Sequence, residues 1–113
     1  MHEYSIVQAL VDSVEREARA RSATVIHRLS VRIGALAGVE AGLLASAYEI
    51  CRTGTLCAEA ELAIESVPAC WTCPDCGREM APGEVLRCPV CQRPARLVSG
   101  DEIILDRIEM EVA

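Results

Sequence analysis

Two short stretches place four thiols at metal-ligand spacing: Cys-Pro-Asp-Cys-Gly at 73–77 and Cys-Pro-Val-Cys-Gln at 88–92. In each, two cysteines three residues apart let both sulfurs converge on one ion across a tight turn. The proline after the first cysteine pre-sets that turn, and Gly77 tolerates the backbone needed beyond the second sulfur. Together Cys73, Cys76, Cys88 and Cys91 supply four thiolates, the set that suits tetrahedral Zn²⁺ with Zn–S bonds of ~2.3 Å. Eleven residues separate Cys76 from Cys88. That spacer is shorter than the commonest template but long enough for a hairpin through Pro82-Gly83. A site closed by four thiolates is structural rather than catalytic. The energetics agree. A segment of about 30 residues buries too little apolar surface to fold unaided, and a structural zinc contributes ~10–16 kcal/mol of binding free energy.

The remaining thiols leave two other readings open. Cys70-Trp71-Thr72-Cys73 is also a Cys-x-x-Cys and has the form of a redox motif. A redox pair normally opens a helix, whose N-terminus lowers the thiolate pKa, whereas this one follows a strand and runs into a second knuckle. Alternatively Cys70 replaces Cys73 as a ligand, at the loss of the Pro74 turn. Cys51 and Cys57 read as small, inert, partly buried side chains.

A second kind of donor set stands at the start, Met-His-Glu. Histidine at the second position is large, so Met1 is expected to be retained. The α-amine, the His2 amide and the His2 imidazole can close adjacent chelate rings on one ion, with Glu3 supporting. Nitrogen-rich, planar donor sets favour Ni²⁺ or Cu²⁺ over zinc, and affinity rises with pH as protons leave the ligands. Taken alone, the three residues read more simply as a solvated helix start, with Glu3 favouring the helix dipole. His27 falls in phase with Leu29 and Val31, so it is expected to be a satisfied, half-buried histidine on the inward face of a strand.

These groups need elements to position them. Ile6, Val7, Leu10, Val11, Val14 and Ala18 recur at helical spacing across 4–21. Residues 24–33 alternate, with Leu29, Val31 and Ile33 on one face and Arg28, Ser30 and Arg32 on the other; Gly34 ends the strand. Helical period returns over 39–52 through Val39, Leu43, Leu44, Ala47, Ile50 and Cys51. Residues 60–67 read as a strand with Leu62 and Ile64 inward, closed by Pro68. Residues 69–98 then hold five cysteines, four prolines and two glycines. After a turn at Ser99-Gly100-Asp101, a last strand spans 102–112, with Ile104, Ile108, Met110 and Val112 on one face. The order predicts an α+β fold: a three-stranded sheet with two helices on one face and an inserted zinc-ribbon module. Residues 1–68 and 99–113 form the α+β domain, and 69–98 the ribbon.

Composition narrows the function. Of 113 residues, 51% are hydrophobic and only 3% aromatic, with no Phe, so the core is aliphatic. Seventeen acidic against eleven basic side chains give a net charge of −6, which disfavours nucleic acid and anionic membrane surfaces as partners. Neither a secretory signal nor an 18-residue apolar run is visible. A cytoplasmic location follows, where paired cysteines bind metal rather than form disulfides. No nucleophile–base pair or phosphate-cradling glycine loop is present, so no enzyme is expected. A ribbon that binds protein or nucleic acid and ignores nickel is the alternative function.

The Met-His-Glu-Tyr-Ser-Ile-Val-Gln-Ala-Leu start, Val-Arg-Ile-Gly-Ala-Leu-Ala-Gly-Val-Glu at 31–40 and the two Cys-Pro-x-Cys knuckles resemble the HypA/HybF family. These are nickel metallochaperones for [NiFe]-hydrogenase maturation, and the resemblance spans the whole chain, including the Ile-Glu-Met-Glu-Val strand near its end. It implies that His2 is the principal Ni(II) ligand, with Glu3 supporting. It also implies that Cys73, Cys76, Cys88 and Cys91 bind structural Zn(II). The implied partners are the GTPase HypB and the hydrogenase large subunit, with urease served by some members; the chain itself is expected to be a monomer or homodimer. Some relatives offer a histidine near the ribbon to the nickel site. Residues 69–98 contain none, so a further nickel donor comes from Glu3, water or a partner, and an open position suits a carrier.

Overall fold

The structure, a computed structural model, describes residues 2–80 and 83–112, with His2 as backbone only. The elements in order are α1 (His2–Ala20), β1 (Ala23–Gly34), α2 (Ala41–Cys51), β2 (Glu61–Val67), β3 (Cys70–Thr72), β4 (Glu79–Met80), β5 (Arg96–Ser99) and β6 (Ile103–Val112). They form two three-stranded sheets, ordered β2-β1-β6 and β4-β3-β5. The chain divides into two compact units: Met1–Arg32, Val39–Glu65 and Ile104–Ala113 make one, and Ile33–Gly38 with Ser66–Ile103 the other.

In the first unit, α1 buries Val7, Val11, Val14 and Ala18, the i, i+4, i+7, i+11 stripe of an amphipathic helix. Glu3 in its first turn and Arg19 in its last complement the helix dipole. Past the helix end Ser22 takes a left-handed conformation, φ 55°, and its N–H donates back to the Arg19 carbonyl. α1 packs against α2, and both cover the sheet face that carries Leu29 and Val31, which are almost fully buried. The other face is a solvated charge ladder. Arg28–Glu61 and Arg32–Glu65 join β1 to β2 at 3.4 Å each. Both pairs share one sequence offset, as parallel neighbours do, and a helical crossover supplies the connection. Arg32–Asp106 and His27–Glu111 join β1 to β6, which runs antiparallel. Such exposed pairs contribute only about 0–1 kcal/mol each.

Three expectations are corrected here. His27 is exposed, with its ring 3.0 Å from the Glu111 carboxylate, and Ile26 is buried in its place. The alternation of β1 slips by one residue between Ile26 and Leu29, so phase carried back from Leu29 puts His27 on the wrong side. β6 slips likewise at Asp106-Arg107. Its half-buried residues are Ile103, Leu105, Ile108 and Met110, while Ile104 and Val112 are exposed. Finally, α2 turns Leu44, Ala47 and Tyr48 inward and leaves Leu43 and Ile50 exposed. A helix that is apolar almost all round gives its periodicity no single preferred face.

Tyr48 anchors the loop after α2. Its hydroxyl donates to the Ala60 carbonyl at 2.8 Å, and Arg52 lies over its ring, 5.6 Å from the centroid. The Glu15 carboxylate accepts the Leu56 N–H at 3.1 Å. Cys57 is fully buried there, and burial pushes its thiol pKa up.

In the second unit three chain passes are stitched by backbone hydrogen bonds. The N–H groups of Gly34, Ala35 and Leu36 donate to the carbonyls of Glu102, Val67 and Gly100 at 2.8, 2.8 and 2.7 Å. Beyond them β3 pairs antiparallel with both β4 and β5. Trp71, Cys91 and Ala95 pack against the small core of Cys73, Met80 and Cys88. The hairpin expected at Pro82-Gly83 falls partly outside the described residues.

Candidate metal centre

The two Cys-x-x-Cys segments fold into near-identical knuckles. In the first, the Cys73 N–H donates to the Arg78 carbonyl and the Gly77 N–H to the Cys73 carbonyl, both at 2.9 Å. In the second, the Cys88 N–H donates to the Arg93 carbonyl and the Gln92 N–H to the Cys88 carbonyl, again at 2.9 Å. Each knuckle ends on a residue in the left-handed region, Gly77 at φ 75° and Gln92 at φ 57°. The Gln92 side-chain amide donates to the Pro89 carbonyl at 3.2 Å, offsetting part of the strain that a side chain meets there.

These knuckles bring together the sulfurs of Cys73, Cys76, Cys88 and Cys91, all within 4.8 Å of one another. Cys76 and Cys88 lie 3.7 Å apart across the pair. A tetrahedron with metal–sulfur bonds of ~2.3 Å has edges of about 3.8 Å, so the donor set fits a closed tetrathiolate site. That set is soft and leaves no open position for substrate, and it suits redox-silent Zn²⁺.

The backbone prepares the sulfurs for it. The Cys91 N–H donates to the Cys88 sulfur at 3.4 Å and holds that thiol down at about 7, against the opposing pull of burial. Cys91 is pushed up to about 12, first by hydrogen bonding to Cys76 and then by burial. A divalent ion supplies the charge that lets all four thiols ionise together.

Residues beyond the four cysteines shape the site. Trp71 packs on the sulfur-bearing core. Arg87 donates to the Gln92 carbonyl at 2.6 Å, and Arg93 reaches Asp75 of the other knuckle at 3.7 Å. The internal repeat Cys-Pro-x-Cys-x-Arg, at 73–78 and 88–93, is the sequence signal for Arg93; Trp71 and Arg87 lie outside it.

Cys70 stands outside the cluster. It is half-buried in β3, and its sulfur donates to the Glu79 carboxylate at 3.6 Å. Burial and Glu79 raise its pKa, the opposite of what a redox nucleophile needs. Glu3 occupies the first turn of α1 and is half-buried. The nickel expectation rests on the Met1 amine and the His2 ring, which lie outside what is described.

The whole chain has known counterparts. Residues 1–110 match the family model described as "Hydrogenase/urease nickel incorporation, metallochaperone, hypA". A hydrogenase maturation factor HypA of Wolinella succinogenes is 41% identical, covering 98% of this chain and 96% of its own. The factor of the same name from Shewanella oneidensis is 38% identical, covering 100% and 98%. Among solved structures, the Ni metallochaperone HypA from Helicobacter pylori superposes with a TM-score of 0.74 at 30% identity, covering 98% of each chain. A second solution structure, of a HypA protein, reaches 0.81 at 30% identity, covering 100% of this chain and 98% of its own.

Proposed function

The chain belongs to the HypA family of hydrogenase and urease nickel-incorporation metallochaperones, and from that premise we propose that it carries Ni²⁺ as cargo at its amino end and passes it on for assembly of a nickel enzyme. The Met1 amine, the His2 amide and the His2 imidazole grip the ion, with Glu3 in support. Cys73, Cys76, Cys88 and Cys91 hold a resident Zn²⁺ as scaffolding. Residues 1–68 and 99–113 form the nickel domain, and 69–98 the zinc ribbon. It is a carrier rather than an enzyme and works in the cytoplasm. A GTPase of the HypB kind supplies nucleotide hydrolysis, and the [NiFe]-hydrogenase large subunit, or urease, receives the metal.

The family match across 1–110, which includes the Met-His-Glu start, is the observation that supports this most directly. The start of α1 supports it too. The first four N–H groups of a helix have no acceptor within the helix, so an amide at residue 2 or 3 leaves no intrahelical bond behind when it turns to a metal. The incomplete donor set suits handover, since an acceptor's ligand can enter before the carrier lets go.

Metal analysis of untagged protein, with nickel and zinc counted separately, tests the reading. About one Ni²⁺ per chain is expected, lost in His2→Ala and impaired when residues are added before Met1, with zinc content unchanged in both. Nickel binding indifferent to His2 overturns the assignment, and zinc without nickel returns the chain to a plain interaction ribbon.

A further inference from the structure

β6 forms one edge of the sheet ordered β2-β1-β6. Edge strands expose unpaired N–H and C=O groups, and most are short or guarded by lysine, proline or a covering element. The other edge, β2, runs seven residues and is stopped by Pro68. β6 runs ten residues without a proline, and the whole chain contains no lysine. Beyond the slip at Asp106-Arg107 its alternation is regular. Ile108 and Met110 are half-buried on the helix side, and Glu109 and Glu111 are exposed on the other.

The two rows ask for different neighbours. On the helix side a groove of about 510 Å³ runs between Ser13, Glu17 and Arg21 of α1 and a floor that includes Leu105, Ile108 and Met110. These floor side chains remain half-exposed because the layer stops at β6. On the solvated side the charge is negative. Glu111 is engaged by His27 at 3.0 Å, and Asp106 stands 3.8 Å from Arg32. Glu109 has no ion-pair partner among the described residues, and Arg107 is the only cation that β6 itself carries.

A bare strand edge is completed by backbone, so what fits it is an extended segment. Successive side chains of such a segment point to opposite faces. One set enters the groove, where aliphatic groups bury apolar floor. The other set stands beside the acidic row, where Lys or Arg meets Glu109. A second copy of β6 does not fit that description, because its own polar row is mostly acidic.

We propose that β6, from Arg107 to Val112, is a docking edge for an extended segment of another protein in which aliphatic and basic residues alternate. The segment adds a fourth strand beside β6, with its aliphatic side chains under α1 and its cations over Glu109. The net charge of −6 favours the approach of such a segment. One short strand buries less than the ~800 Å² per partner of a standard interface, so the contact is weak and reversible. It uses neither the nickel ligands nor the cysteines.

A nuclear magnetic resonance titration of the zinc-loaded, nickel-free full chain tests it, with the acetylated and amidated peptide Thr-Val-Lys-Val-Lys-Val-Thr as probe and circular dichroism checking that each variant folds. Saturable binding is expected, with a dissociation constant of about 0.1–1 mM. Shifts should centre on Arg107–Val112 and on the α1 wall of the groove, and amide exchange along β6 should slow. Exchanging the lysines for glutamates, or methylating the peptide's backbone amides, should weaken binding at least about fivefold. So should Glu109→Lys, which reverses the unpaired charge, and Ser13→Arg, which fills the groove from an exposed position on α1. No binding at about 1 mM overturns the proposal. So do equal affinities for the glutamate or methylated peptide, indifference to either variant, or shifts centred on β2. Protection of β6 that grows with protein concentration in the absence of peptide gives the edge to a second copy and overturns it too.

Discussion

The sulfur of Cys76, from the first knuckle, lies 3.7 Å from the sulfur of Cys88, from the second. Neither knuckle makes that approach alone; it needs both turns and something to hold four sulfurs of like charge together. A chelator strong enough to remove the ion is therefore expected to unfold the ribbon while α1, β1 and α2 keep their own core of Val7, Val14, Leu29 and Leu44. The chain holds one tryptophan, and Trp71 packs on the cysteine core, so its fluorescence reports this step directly. Metal removal should shift its emission to the red, and Cys76→Ser or Cys88→Ser should show the shifted spectrum without chelator. An unchanged spectrum in metal-free protein would count against a metal-stapled ribbon.

The knuckles differ at one position that can be weighed. Gly77 and Gln92 occupy equivalent left-handed turns, at φ 75° and 57°. A side chain there costs about 1 kcal/mol or more, and the Gln92 amide bond to Pro89 recovers part of it. Gln92→Gly should leave zinc affinity equal or raise it up to about fivefold, while Gly77→Gln should lower it by a comparable factor. Competition against a chromophoric chelator measures both. Equal weakening by the two changes would mean that backbone strain does not set the difference.

Thiol spacing alone specifies the metal cluster, because a four-residue turn has few ways to aim two sulfurs. Aliphatic periodicity likewise specifies α1, because its polar and apolar faces differ. What escapes is what periodicity cannot register. One slip in β1 moves His27 from the inward face to solvent, and one in β6 moves Ile104 and Val112 outward. On α2, Leu43 and Leu44 are equally apolar, and Leu44 is the buried one because it shares a face with Ala47 and Tyr48. The backbone stitching around Gly34 also leaves no pattern in the residue types, because hydrogen bonds between distant passes do not depend on side chains.

That stitching makes a sharp prediction. A Cβ at Gly34 would lie 2.2 Å from the carbonyl carbon and oxygen of Gly100, and one at Gly100 would lie 2.6 Å from the Ala69 Cα. Both obstacles are backbone and cannot swing aside as a side chain can, and the Gly100 carbonyl is also held by the Leu36 N–H at 2.7 Å. Gly34→Ala should cost at least about 3 kcal/mol, and Gly100→Ala at least as much, since Gly100 also sits at φ 103°. Gly54→Ala, with nothing within 4 Å of its Cβ, serves as a comparison that carries only the left-handed strain of φ 77°. Denaturant midpoints of zinc-loaded protein rank the three. A Gly34→Ala variant as stable as Gly54→Ala would show that the passes can part.

Tyr48 gives the alkaline limit of the fold. Burial first, and the neighbouring Cys57 second, push its pKa from 10.0 up to about 12. The folded state thus prefers the protonated phenol, and the sign follows. The stabilisation is complete below pH 10, falls as pH rises through the window from about 10 to about 12, and is gone above it. Tyr48→Phe has no such proton to lose. At neutral pH it should be less stable than wild type by about 1 kcal/mol or less, because Arg52 also donates to the Ala60 carbonyl, at 3.0 Å, and keeps it satisfied. Across the window the wild type should lose roughly 2–3 kcal/mol that the variant keeps, so the order of stability reverses. The other ionisable groups are present in both proteins and largely cancel in the difference. Urea unfolding of the pair at pH 8, 10 and 11.5 measures the gap, and one that stays constant would mean the Tyr48 hydroxyl is not held as the structure places it.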